Sequence, residues 1–349
     1  MSTKDDLQTL IDSSSKKNLE PSTYTNEMSS STTVGWKLRL CICAWFSIQN
    51  TVHILLTRYV RSRKVPQLFL SSVAVAYLET FKLLLCLAIV TCQQRSFLRM
   101  CSIVWSTVFL HPKDTLLVAV PSFVYVLYNI LSLVAATHMD AATMAVTSQL
   151  KLLTTAMFAV LLLSQQLNKY QWLSLSLQFV GVSIIQWFQS GHISSAATFF
   201  SSSAFIGLAA MLGGCVASAF GGVYFEKVLK TGQVTVWLCN VQLSVCAIPL
   251  SVTTALLKDG QTIMQHGHLI GFDWLVWVAV LWSAIGGLSV AAVIKYADNI
   301  VKNFAATVAI ILSTTFSVIF LHFHLSPAFC IGSLMVVGSI FMYRLKADK

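Results

Sequence analysis

Charged side chains are scarce in this sequence. Lys, Arg, Asp and Glu make up 10% of 349 residues, where a soluble globular domain carries about a quarter. With 56% hydrophobic residues, the chain cannot be sorted into a wet surface and a dry core, so its solvent is lipid. Motifs for metal and redox chemistry are missing too. The nine cysteines contain no Cys-x-x-Cys and keep company with no paired-His metal spacing, which excludes a zinc site and a disulfide framework and leaves them as small buried hydrophobes. Nothing in the chain calls for a cofactor. The first 35 residues lack an apolar core and a small-residue cleavage site, which excludes a secretory signal peptide. They are Ser/Thr-rich and poor in large apolar side chains, as expected of a disordered tail.

Long apolar stretches are what the sequence has instead. Ten candidate spans run over 36–57, 68–91, 115–137, 141–163, 170–188, 203–225, 233–256, 272–294, 302–321 and 325–343. Each has the roughly 20 residues that an α-helix needs to cross a hydrocarbon core of about 30 Å. Barrel strands would be about half as long and would alternate. Between the second and third spans, Arg95 to His111 mixes Phe97, Leu98, Ile103, Val104 and Trp105 with Arg95 and Arg99, which predicts a short interfacial segment.

The net charge of +10 reads as a topology signal and not as a nucleic-acid surface. About thirteen basic residues, among them Arg95, Arg99, Lys169, Lys227, Lys230 and Lys346, fall on the side shared with both termini, against about five on the other, Arg58, Arg61, Arg63, Lys64 and Lys258. The positive-inside rule therefore predicts cytosolic termini.

A displacement of about 158 residues lays Asp140 on Asp298 and Phe158 on Phe316, as expected of a duplication of the kind found in secondary transporters. The expected organisation is a 1–35 tail, a five-helix repeat over 36–188, a loop over 189–202, a second five-helix repeat over 203–343 and a 344–349 tail. An odd number of spans per half inverts the second half relative to the first and puts a substrate site near the midplane. Small residues at Gly214, Ser218 and Gly222, and at Ser283, Gly287 and Ala291, suit close helix packing.

Lys151 lies about 15 Å from either surface at 1.5 Å per residue, where an unpaired ammonium costs at least a few kcal/mol. It needs an anion or a polar cavity. Glu79 reads as the only acid deep in a span, and Lys82 at i+3 suits a structural ion pair with it. Tyr125, Tyr128 and Asn129 share one helical face. Asn240 and Gln242 interrupt an apolar run. Lys295, Tyr296, Asp298, Asn299 and Lys302 crowd a connection, and Lys302 and Asn303 open the ninth helix, where backbone amides favour an anion. Aromatic faces, amides and buried cations suit a planar base carrying phosphates.

The strings VPSFVYVLYN (Val120 to Asn129), QLKLLTTA (Gln149 to Ala156), FGGVYFEKVLK (Phe220 to Lys230), VWLCNVQL (Val236 to Leu243) and KYADNIVKNFA (Lys295 to Ala305) resemble the nucleotide-sugar transporters of the CMP-sialate, UDP-galactose and UDP-N-acetylglucosamine group. The resemblance implies two inverted five-helix halves of the drug/metabolite transporter type. It implies a phosphate contact for Lys151, a nucleotide and sugar cavity lined by Tyr125 and Asn129, a substrate contact from the second half for Asn240, and a place near the sugar or gate for Lys295 and Tyr296.

The implied activity is exchange of a cytosolic UDP-sugar, UDP-galactose or UDP-N-acetylglucosamine, for lumenal UMP across the Golgi membrane. Partners it implies are the nucleotide sugar, a nucleoside monophosphate, membrane lipids, and a second copy of the chain or Golgi glycosyltransferases, with no nucleic acid. The sequence departs from the family where it reads MAVTSQLK (Met144 to Lys151) in place of YQVTYQLK, at Tyr128 and Ile130, and at Cys239, which points to an altered sugar pocket. CMP-sialate transport and export of other metabolites are the alternatives. A membrane-embedded glycosyltransferase would call for paired acids or a metal cluster near the surface, and the sequence has neither.

Overall fold

The computed structural model describes residues 36–63, 65, 67–110, 112–139, 141–189, 202–232, 235–321 and 327–344. The 1–35 tail, residues 190–201 of the expected loop and residues 345–349 lie outside the described residues. Every regular element among the described residues is helical. In chain order they are α1 (Trp36–Ser62), α2 (Ser71–Gln94), α3 (Phe97–Trp105), α4 (Pro112–His138), α5 (Ala141–Ser148), α6 (Lys151–Leu163), α7 (Lys169–Gln189), α8 (Ser202–Thr231), α9 (Val236–His266), α10 (Trp274–Tyr296), α11 (Asn299–Leu321) and α12 (Pro327–Arg344). Residues from Arg39 onward pack as one unit.

Eight stretches of these helices are long and apolar enough to cross a membrane. Two of the ten expected spans are not among them, for different reasons. In α7, Gln171, Gln178 and Gln186 lower the hydropathy, while the apolar stretch of α12, Pro327–Tyr343, is shorter than the others. The outer surface is apolar, with Leu161, Leu334 and Phe341 exposed, which is tolerable only in lipid. The chain is a multi-pass membrane protein.

The segment before α4 is a short helix. α3 runs into a π-helical turn, Ser106–Leu110, whose carbonyls need partners outside the usual ladder. Gln242 supplies one, donating through Nε2 to the Thr107 carbonyl and to Thr115 Oγ1, each at 3.1 Å. One of the two amides that interrupt α9 thus serves a junction.

Helix pairing follows a regular scheme. α2 packs on α9, α6 on α11 and α7 on α12. α4 also packs on α9, and α10 on α2. α8 lies against α4 and against α5 and α6. Correspondingly, α1 meets α10 through Gln49 and Trp282, whose side chains donate to one another's carbonyls at 3.1 Å. It meets α11 through Ser47, which donates to the Ala305 carbonyl at 3.0 Å. Counting α5 with α6 as one span, α2–α9, α6–α11 and α7–α12 each join spans five apart, and α4–α9 corresponds to α10–α2 under the same shift.

The backbones of α7 and α12 approach each other closely. A β-carbon on Gly181 would lie 2.9 Å from the Gly332 carbonyl oxygen, and one on Gly332 would lie 2.6 Å from that of Gly181. Neither glycine belongs to the small-residue ladders that the sequence suggested. Ser174, buried beside them, donates to the Ser339 carbonyl at 2.7 Å.

Candidate functional site

The expected fourth span is not one continuous helix. It breaks at Gln149 and Leu150, whose amides bond three residues back, to Val146 and Thr147, at 3.0 Å. Tightening of this kind frees carbonyls that a regular helix would occupy. The Cys215 thiol approaches the Ser148 carbonyl at 3.7 Å, and also that of Thr147, which already accepts from the Leu150 N–H, at 3.6 Å. Gln149 is fixed from behind by α7, donating through Nε2 to Gln186 Oε1 at 3.0 Å. Lys151 is the first residue of the restarted helix α6.

Across from this break α11 begins. Its N-terminal amides are already occupied: Asp298 Oδ1 accepts from the Val301 N–H at 2.6 Å, and Glu226 Oε2 accepts from the Asn299 N–H at 2.9 Å. Burial pushes the Asp298 carboxyl above the ordinary carboxylate range. The amides that the sequence suggested for an anion are therefore spent on carboxylates. What α11 offers a ligand is side chains, those of Asn299, Lys302, Asn303 and Thr307.

These side chains, with Gln149, Lys151, Thr155 and Ser218, line a cavity of about 180 Å³. Thr307 is held from α7 as Gln149 is, accepting from Gln178 Nε2 at 2.8 Å. Among the described residues the ion pairs are Arg63–Asp273, Lys82–Glu79 and Lys230–Glu226. None neutralises Lys151 or Lys302. Two ammonium groups thus face one polar cavity between membrane helices without a counter-charge. Such an arrangement stands only if an anion or water completes it.

The other residues singled out in the sequence lie elsewhere. Glu79 and Lys82 pair at 2.6 Å, and Ser244 Oγ donates to Glu79 Oε2 at 3.2 Å, which ties α2 to α9. Tyr125 and Tyr128 have ring centroids 6.2 Å apart. Tyr125 and Asn129 are exposed on the same face of α4, and neither lines the lysine cavity. Asn240 is buried, and its Nδ2 donates to the Val236 carbonyl of its own helix at 2.8 Å. Lys295 donates through Nζ to the Leu229 carbonyl, capping the end of α8, and Tyr296 is the last residue of α10.

Sequence reasoning missed Glu226. Glu79 is not the only acid within a span: Glu226 lies in α8, is fully buried, and accepts from Lys230 Nζ at 2.6 Å. Lys230 reaches on to the Ala297 carbonyl at 2.9 Å. The end of α8 is thereby stitched to the start of α11. The i, i+4 spacing of Glu226 and Lys230 is the signal that was available.

A family model described as "Nucleotide-sugar transporter" matches residues 34–344, which takes in every helix described above. The chain belongs to the nucleotide-sugar transporter family. It is 43% identical over 307 residues to the UDP-galactose/UDP-N-acetylglucosamine transporter srf-3 of Caenorhabditis elegans, covering 88% of this chain and 82% of that protein. It is 39% identical over 320 residues to the UDP-galactose translocator of Mus musculus, covering 91% and 81%. With the UDP-N-acetylglucosamine transporter of Homo sapiens it shares 40% identity over 299 residues, covering 84% and 91%.

Among the solved structures that match is a crystal structure with a TM-score of 0.62 at 14% identity, covering 88% of this chain and 96% of that one, a likeness that shows the fold alone. Members of the nucleotide-sugar transporter family are transporters and not enzymes, and this sets the glycosyltransferase alternative aside.

Proposed function

We propose that the protein is a Golgi antiporter that carries a UDP-sugar, UDP-galactose or UDP-N-acetylglucosamine, into the lumen in exchange for UMP. The observation that carries this reading is the pair of uncompensated lysines, Lys151 and Lys302, in one cavity between α6 and α11. A phosphate is the group that satisfies both. The relatives named for UDP-galactose and UDP-N-acetylglucosamine supply the uridine and the sugars.

Each exchanged species carries a charge of about −2, so exchange moves no net charge against a membrane potential worth about 2.3 kcal/mol per charge per 100 mV. The pairing of spans five apart, α2 with α9, α6 with α11 and α7 with α12, supports two inverted repeats, 36–188 and 203–343, rocking around the cavity. The basic residues counted along the sequence support cytosolic termini.

The test is uptake of radiolabelled nucleotide sugars into proteoliposomes preloaded with UMP, CMP or nothing. Uptake of UDP-galactose or UDP-N-acetylglucosamine stimulated by internal UMP, and lost in Lys151→Ala, is the expected result. Stimulation by CMP alone moves the protein to CMP-sialate exchange. Absence of stimulation by either nucleotide contradicts antiport.

A further inference from the structure

Of the side chains lining the lysine cavity, Asn299 alone has a buried polar atom with no hydrogen-bond partner among the described residues, its Oδ1. The residue is only 1% exposed, so bulk water does not reach it freely. Its backbone is pinned by the bond from its N–H to Glu226 Oε2 at 2.9 Å. Its Nδ2 lies against Gly222, where a β-carbon would come within 2.6 Å. Glycine there gives the carboxamide its room. An unpaired carbonyl oxygen held this firmly is costly unless something donates to it, and Asn299 is one of the residues that line the cavity.

The cavity, about 180 Å³, is smaller than the roughly 300–1,000 Å³ of a whole small-molecule site. It fits the phosphate of a nucleotide and the atoms next to it. Phosphate oxygens are acceptors, which suit the lysines and leave Asn299 Oδ1 unsatisfied.

We propose that Asn299 is a substrate contact whose Oδ1 accepts a hydrogen bond from a donor on the nucleotide, a ribose O–H or the base N–H. It turns a general anion site into one that rejects phosphates lacking that donor, because they leave a buried acceptor unpaired. This rests on the nucleotide reading above and goes beyond it in assigning the residue that senses more than charge.

The experiment uses the full chain in proteoliposomes. Inhibition of UDP-sugar uptake is measured with UMP, 2′-deoxy-UMP, 3′-deoxy-UMP and N3-methyl-UMP, for the wild type, Asn299→Ala and Gly222→Ala. The wild type is expected to prefer UMP over one analogue by about fivefold, the worth of one neutral hydrogen bond, and that analogue names the donor. Both variants are expected to lose the preference, and Gly222→Ala decides the matter if Asn299→Ala does not fold. A wild type that binds UMP yet discriminates against no analogue, or variants that keep the preference, overturn the role of Asn299 alone. No inhibition by UMP in the wild type overturns the nucleotide reading and this contact with it.

Discussion

Lys151 and Lys302 stand in the first turns of two different helices and line the same cavity, and no carboxylate among the described residues pairs with either. Neighbouring charges among the described residues are compensated. Glu226 takes Lys230, and Lys295 takes a helix-end carbonyl. We propose that the contrast separates cations directed at a ligand from structural ones, which charge counting along the sequence cannot do.

Glu226 holds the start of α11 in place through its bond from the Asn299 N–H and its pair with Lys230. Glu226→Gln keeps the shape and removes the charge. Lys230 remains one-third exposed, so the loss is moderated by water, and a destabilisation of about 1–3 kcal/mol is expected. A fall in the detergent-solubilised melting temperature checks it, with weaker UMP binding because Lys302 lies on the same turn.

Gly332→Ala places a methyl group 2.6 Å from the Gly181 carbonyl oxygen. Over-packing of this kind costs about 1–3 kcal/mol, read as a lower melting temperature. Gly338→Ala in the same helix is the control, since a β-carbon there meets nothing within 4 Å, and it should leave melting unchanged.

Asp273 caps α10, accepting from the Val276 N–H at 2.9 Å, and pairs with Arg63. The hydrogen bond from Arg63 holds its carboxyl below the usual carboxylate range. Because the folded pKa is depressed, the contribution is present above the unfolded value of about 3.9 and is lost as pH falls through the folded one. The melting-temperature gap between wild type and Asp273→Ala is therefore expected to be constant near neutral pH and to close below about pH 4.

Much of this was legible in the sequence. Hydrophobic length marked the helices, and the depth of Lys151 in an apolar run marked it as a cation needing an explanation. What was not legible depends on direction and not on residue type. Asn240 looks like a ligand in the sequence, but its rotamer turns it onto its own helix. Gln178 and Gln186 look like stray polarity, yet they brace Thr307 and Gln149 from α7. The break before Lys151 carries no Pro or Gly to announce it. Lys302 reads as a cation at the opening of the ninth helix, where an anion is favoured, and the packing of α11 on α6 is what joins it to Lys151 in one cavity.

The central claim is that Lys151 and Lys302 form one phosphate site. Equilibrium binding of UMP and of uridine to the purified full chain, compared among wild type, Lys151→Ala, Lys302→Ala and the double variant, tests it most directly. Each single change should weaken UMP binding by about tenfold or more, as for loss of a charge-assisted bond of about 1.5–3 kcal/mol, while binding of uridine barely changes. The double variant should bind UMP no better than uridine. UMP affinity that is unchanged in either single variant, or a parallel loss for uridine, would contradict the account.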